Sequence, residues 1–262
     1  MFGWLNGLKK TSETPANAAQ PTGPFQARFV IVDRQHYVRS QYGVYLRTRW
    51  TDATFHFCIL GVYGKALSDF LASQCRPFSF IDIGANQGLY SLLAARSACC
   101  QQVFAFEPVS DNFQYLNDNL KMNGAASKTL AYQAAITNQQ GKMQITLKKG
   151  HSGGASLRSQ SAPKSRLYES IHSINAANLR SLFRFVERAI IKIDVEGFEN
   201  TVIDELAKSG VLHRAAAVFY EVDARWSCPE QIRQQLADAG FAHFYPLGKG
   251  FHYDVLATRE AV

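Results

Sequence analysis

No stretch of this chain approaches the roughly 18 uncharged apolar residues that a membrane span requires, so a transmembrane anchor is not expected. Cysteine is scarce and unpatterned: Cys58, Cys75, Cys99, Cys100 and Cys228 make an odd set with no C-x-x-C step. That argues against a disulfide framework or a zinc site, and for small buried side chains in a reducing, cytoplasmic setting. No internal repeat appears, which excludes a solenoid or propeller. Acidic residues are outnumbered, 21 against 28 basic, for a net charge of +7. What is present is ordinary globular material: 262 residues, 47% of them hydrophobic, enough for one sizeable core.

The positive charge is uneven. Lys142, Lys148, Lys149, Arg158, Lys164, Arg166, Arg180, Arg184, Arg188 and Lys192 are opposed within their stretch by Glu169 and Glu187 alone. Such an excess suits an anionic acceptor, although a solvated helix face plus a basic loop explains it equally. Tyr168, Phe183 and Phe185 do not interleave with these charges as stacking platforms would, so nucleic acid is not expected as a partner.

Residues 1–27 read as a flexible N-terminal segment. Phe2, Trp4, Leu5 and Leu8 ahead of Lys9 and Lys10 suit a weak contact of residues 1–10 with a membrane surface, making a membrane-peripheral location the alternative to a purely cytoplasmic one. The charge follows the apolar residues, unlike a secretory signal, and a frayed end is the plainer reading. From residue 28 to 262 the chain reads as one domain whose first part, about 28–75, is a β/α cap. There 44–49 and 54–58 alternate like strands, and 62–73 is helical.

Beyond the cap, strand and helix alternate. Strands are expected at 78–83, 103–106, 129–133, 142–147, 189–193 and 216–220, and helices after Gly88, after Ser110, over 198–209 and over 229–239. Residues 148–170 read as a mobile basic loop. Two strands around the Gly248–Gly250 turn end the chain as an antiparallel hairpin. The fold class is therefore α/β: a doubly wound, mostly parallel sheet closed by one antiparallel strand, the Rossmann-like class I methyltransferase topology.

The chemistry concentrates at two strand ends. In Asp82-Ile-Gly84-Ala-Asn86-Gln-Gly88, Gly84 permits a sharp turn and close ligand approach, Asn86 tolerates positive φ and Gly88 opens the helix. Glu107, 19 residues past Gly88 at the next strand end, offers two acceptor oxygens to the hydroxyls of an adenosine ribose. A dinucleotide fingerprint needs a middle glycine where Asn86 stands, and Asp82 would repel a pyrophosphate but attract an amino-acid ammonium. S-adenosyl-L-methionine is favoured over nicotinamide or flavin cofactors on those grounds. The second constellation, Asp194-Val-Glu196-Gly-Phe-Glu199, sets carboxylates on the same sheet edge, with Lys192 as a possible partner; Glu199 reads equally as helix N-terminal charge.

The segments FIDIGANQGLYS, FAFEPVSDNFQYLNDNLKMNG and IIKIDVEGFENTVIDEL resemble the FkbM-type S-adenosylmethionine-dependent methyltransferases over about residues 40–245. The resemblance implies O-methylation of sugar or polyketide hydroxyls. It implies that Asp82, Gly84, Asn86, Gly88 and Glu107 line the cofactor, that Gln133 and Ala134 meet the adenine, and that Asp194 lies near the transferred methyl. Where the family carries a Thr-Leu-Asp-like stretch, this chain has Ser173-Ile174-Asn175, so its acceptor side is expected to differ.

A hydroxyl acceptor needs a base. Asp194, Glu196 and His151 are the catalytic candidates, although a surface loop residue is the plainer reading of His151. Asp194 with Glu221 or Asp223 could share Mg²⁺, but spacing alone does not establish that and no metal site is assigned. The expected function is O-methylation of a sugar, glycan or glycolipid hydroxyl. The alternatives are a nicotinamide-dependent oxidoreductase, disfavoured by the turn, and a non-catalytic adapter binding acidic polymers.

Overall fold

The computed structural model describes residues 28–62, 64–158 and 167–262. The expected tether and membrane-contact segment at 1–27 lie outside the described residues, as do Lys164 and Arg166 of the basic loop.

The central sheet is built on the two most apolar strands. β4 (Phe78–Ile83) and β10 (Ala189–Ile193) are buried at every position, as strands covered on both faces must be. β4 also pairs in parallel with β5 (Cys100–Phe106), which pairs in parallel with β6 (Thr129–Tyr132). On the other side β10 pairs in parallel with β11 (Ala215–Asp223). β13 (His252–Thr258) runs antiparallel between β11 and β12 (His243–Leu247), giving the order β12-β13-β11-β10-β4-β5-β6. β13 is the one reversed strand, as the C-terminal hairpin predicts.

Helices α2 (Lys65–Ala72), α3 (Leu89–Arg96) and α4 (Ser110–Met122) bring Leu71, Leu92 and Leu116 to buried clusters. A separate cluster gathers Leu179, Leu206 and Leu236 from α5 (Ala176–Leu182), α6 (Glu199–Ser209) and α7 (Pro229–Asp238). Each such side chain contributes about 1.5–3 kcal/mol on burial, and this apolar mass holds charged groups in place at the strand ends.

Two expectations are corrected. Residues 54–58 are not a strand but lie in helix α1 (Ala53–Leu60): Asp52 caps it by accepting from the Phe55 amide at 2.9 Å, and Gly61 ends it at φ 67°. Phe55, Cys58 and Ile59 are its buried face, at helical spacing. Residues 148–170 are not loop throughout. Leu167–Ser170 belong to β9 (Leu167–Ile174), which pairs antiparallel with β8 (Gly141–Leu147) and parallel with β7 (Ala135–Ile136). Helix α5, unforeseen, follows at once because Asn175 and Asn178 form a reciprocal capping box. The N-terminal part is a small antiparallel sheet, β1 (Phe29–Val32), β2 (Gln35–Arg39) and β3 (Tyr45–Arg47), joined to α4 where Asn119 and Asn123 accept from the Arg47 and Tyr45 amides.

Candidate active site

The bend leaving β4 carries positive φ at Gly84 (76°), Asn86 (51°) and Gly88 (88°). Two of these glycines are obligatory for different reasons. A Cβ on Gly84 would collide with the carbonyl oxygen of Asp194, and one on Gly88 would strike the Leu116 side chain. Gly84 thus lets the ends of β4 and β10 touch, whereas Gly88 lets α3 settle on α4. The amides of Gly84 and Ala85 donate to the Phe106 carbonyl at 3.0 and 2.9 Å, which fixes the bend to the end of β5.

Glu107 stands there. Its Oε2 accepts from the Asn86 amide at 2.8 Å and its Oε1 from the Val109 amide at 2.9 Å, with Asn112 Nδ2 at 3.4 Å. Burial pushes its carboxyl up to about 7 against those donors. A carboxylate has about four acceptor positions, so with these three donors one remains for a hydroxyl.

These groups edge a cavity of about 460 Å³, within the range of small-molecule sites. Gly84, Asn86, Glu107, Ala134, His151, Asp194, Glu196 and Glu221 line it. Three expected cofactor positions do not. Asp82 is wholly buried behind the bend, accepting from Ser91 Oγ at 2.6 Å, so it meets no ligand ammonium directly. Gly88 serves helix packing. Gln133 is exposed and donates to Ser110 Oγ at 2.8 Å, leaving Ala134 and Ile136 as the apolar wall.

Lys192 joins the two strand ends. Its Nζ lies 3.6 Å from Asp82 Oδ1 and 3.5 Å from Asp194 Oδ2, and donates to the Gly84 carbonyl at 2.6 Å. Burial opposes its charge, but Asp194 and Asp82 outweigh that and its pKa is raised. Lys192 is therefore no part of a basic surface: it clamps the bend from beneath.

At the far end, single oxygens of Asp194, Glu196 and Glu221 come within 4.8 Å of one another, the spacing at which a divalent cation could be shared. Asp223 is turned away, bound by Arg225 Nε at 2.8 Å. Burial and then repulsion from Asp194 raise Glu196 to about 7 and Glu221 to about 10. Arg158 and Lys148 draw Glu196 the other way, and His252 Nε2 sits 2.6 Å from Glu221 Oε1. His151 lines the cavity with Nδ1 3.5 Å from Thr54 Oγ1.

Sequence reasoning did not foresee the wall supplied by α1, with Thr54, Phe57 and Cys58, or the lock that holds residues 151–154 over it. Asp52 accepts from the Ser152 amide at 2.6 Å and the Ser152 hydroxyl at 2.9 Å. The signal was an Asp before an apolar run closed by a glycine.

A doubly wound sheet with one reversed strand wedged near its edge, and a cavity over the ends of its first, second and fourth parallel strands, defines a Rossmann-like class I methyltransferase. Residues 82–242 match the Methyltransferase FkbM domain, and the chain belongs to that family of S-adenosylmethionine-dependent methyltransferases. It is similar to Methyltransferase sdnD of Sordaria araneosa, 32% identical over 122 residues that make up 46% of this chain and 44% of that protein. The match therefore spans less than half the length of this curated relative. Among solved structures, Methyltransferase FkbM from Methylobacillus flagellatus KT superposes with TM-score 0.48 at 13% identity, over 69% of this chain and 43% of that one. A putative O-methyltransferase from Klebsiella pneumoniae does so with TM-score 0.44 at 15% identity, over 76% and 81%. Among the described residues no helix is long and apolar enough to cross a membrane.

Proposed function

We propose that this chain O-methylates a hydroxyl of a sugar, glycan or glycolipid acceptor. The observation that carries the reading is the placement of Asp194 and Glu196 on the cavity wall, at the end of the strand that touches the Gly84 bend.

The cavity suits S-adenosylmethionine. Glu107 has acceptor capacity left for a ribose hydroxyl, Ala134 and Ile136 give the adenine an apolar wall, and the carboxylate end favours a cation over a phosphate. That donor supplies an electrophilic methyl on a sulfonium. The protein positions the acceptor and takes its proton. Glu196, raised to about 7 by burial and by repulsion from Asp194 against the pull of Arg158, is the base; Asp194, paired with Lys192, keeps its proton affinity up. Arg158 and Lys148, the basic side chains acting on Glu196, favour an acceptor bearing an anionic group.

The test is incubation with methyl-labelled S-adenosylmethionine and fractionated glycans, lipids and RNA, with and without EDTA. Label in a glycan or glycolipid hydroxyl, unaffected by EDTA, fits Glu196 as base. Activity restored only by Mg²⁺ would make the three carboxylates cation ligands, and label on nitrogen would overturn the acceptor class.

A further inference from the structure

Helix α1 reads Ala-Thr-Phe-His-Phe-Cys-Ile-Leu and carries no Asp, Glu, Lys or Arg. Phe55, Cys58 and Ile59 face the core, while His56, Phe57 and Leu60 fall on the opposite arc and are exposed. A helix that is apolar all round is ordinarily buried on every side, so the outer arc of α1 lacks the cover its composition calls for. Val62, just past the Gly61 cap, is 68% exposed, Leu60 50% and Phe57 47%. Trp50, 51% exposed, extends the same face: its ring centroid lies 6.2 Å from that of His56 and 6.1 Å from that of Phe29, itself exposed at the start of β1. The chain enters the described fold there, after a stretch with Phe2, Trp4, Leu5 and Leu8 ahead of Lys9 and Lys10.

Charge and area narrow what covers this face. The turn that abuts the start of α1 holds Lys148 and Lys149, both exposed, and its Gly150 carbonyl accepts from the Ala53 amide at 3.0 Å. Arg28 and Arg34, also exposed, bracket β1. An apolar surface rimmed by cations complements a bilayer with anionic headgroups: the apolar side chains sink to the acyl boundary while the charges stay at the phosphates. A second copy of this chain fits worse. Four large side chains half covered by the fold offer about 300–400 Å², against the roughly 800 Å² per partner of a standard interface, and the lysines of two copies would repel. Phe57 and Val62 line the cavity as well as facing solvent, so the surface that α1 rests on adjoins the cavity itself.

We propose that the outer face of α1, with Trp50 and Val62, docks on an anionic lipid bilayer, and that the acceptor is accordingly lipid-anchored, its glycan reaching the cavity while its acyl part stays in the membrane. The acceptor half deepens the O-methylation reading above and rests on it; the docking half stands on the surface alone. Among the acceptors of that reading it selects the glycolipid.

Co-sedimentation of the full chain with vesicles tests the docking, using phosphatidylcholine alone and phosphatidylcholine mixed with phosphatidylglycerol. The protein should partition about tenfold or more in favour of the anionic vesicles, less so at high salt. Leu60→Asp changes an exposed residue that does not line the cavity and should lower that partitioning about tenfold or more. Lys149→Glu should lower it about threefold or more and serves if the first variant does not fold. Leu60→Phe should retain it, and S-adenosylmethionine affinity by calorimetry should stay unchanged in all three. Absence of binding to either vesicle overturns the docking, as does binding that survives both Leu60→Asp and Lys149→Glu. A wild-type dimer in sedimentation velocity that Leu60→Asp dissolves overturns it as well, by making the face an interface between copies. For the acceptor, methyl label should enter a glycolipid extract held in anionic vesicles about tenfold faster than the same glycans freed of lipid. Equal rates overturn the anchoring and leave O-methylation standing. Label in neither removes the O-methylation reading and the acceptor claim with it, while the vesicle result decides the docking by itself.

Discussion

Glu196 holds φ at 55°, a conformation that a residue with a side chain adopts only when its surroundings insist. Its carbonyl accepts from Ser156 Oγ at 2.8 Å, and Gly197 follows at φ 97° because Arg158 packs where a Cβ would stand. The strain aims a carboxylate at the cavity. Glu196→Gln should therefore lower kcat by about 10²–10⁴, the usual worth of a general base, with little change in cofactor affinity. With Glu196 near 7, kcat should fall as pH drops below neutrality, and that acid limb should vanish in the variant; rate profiles from pH 5 to 9 check both. In the proposed reading Glu107 meets the ribose of the donor. Glu107→Gln should weaken S-adenosylmethionine by about 10- to 100-fold, as losing charge-assisted hydrogen bonds does, which calorimetry would measure. It should also lower the melting temperature, since an amide nitrogen cannot accept from the Val109 or Asn86 N–H.

The contact between the β4 bend and β10 turns on one hydrogen atom in place of a methyl. Gly84→Ala should cost more than the about 1–3 kcal/mol of a strained φ, because Asp194 must also retreat; chemical denaturation and loss of cofactor binding check this together. Elements of this kind were readable from the chain. Continuous apolar runs ending in Asp82, Glu107 and Asp194 announce buried parallel strands, and a glycine turn between two strands can only reverse direction. Local pattern misled where capping outweighed it: the alternation of Phe55 and Phe57 mimics a strand, but Asp52 and Gly61 decide for a helix. The Asn175 capping box that starts α5 lay in a stretch read only as a departure from the family pattern. At the site, residue types on strand ends were legible, whereas depth was not. Asp82 lies level with Ala105, two residues short of Glu107, so one is sealed behind Lys192 and the other opens on the cavity.

For the whole molecule, the site is a standing load. Glu107 and Glu196, raised from 4.5 to about 7, keep protons in the folded chain that the unfolded chain has released between those values. Asp254 at about 6 and Glu221 at about 10 extend the effect. Folding thus takes up protons, and stability declines as pH rises from about 4.5 through 7 and beyond. Ligand-free protein should melt several degrees higher at pH 5 than at pH 8, the reverse of a chain held by surface carboxylate pairs. A cationic ligand favours the ionised forms, so saturating S-adenosylmethionine should shrink that difference; scanning calorimetry at the two pH values reads both.

Asp52 spends both oxygens at once, on the first turn of α1 and on Ser152, a hundred positions later in the chain. The same carboxylate holds both segments, so loss of Asp52 would loosen both at once. Their amides, Phe55 and Ser152, should trade hydrogen for deuterium at a common rate. Asp52→Ala should therefore raise the exchange of both amides together, although only one of them belongs to the helix it starts.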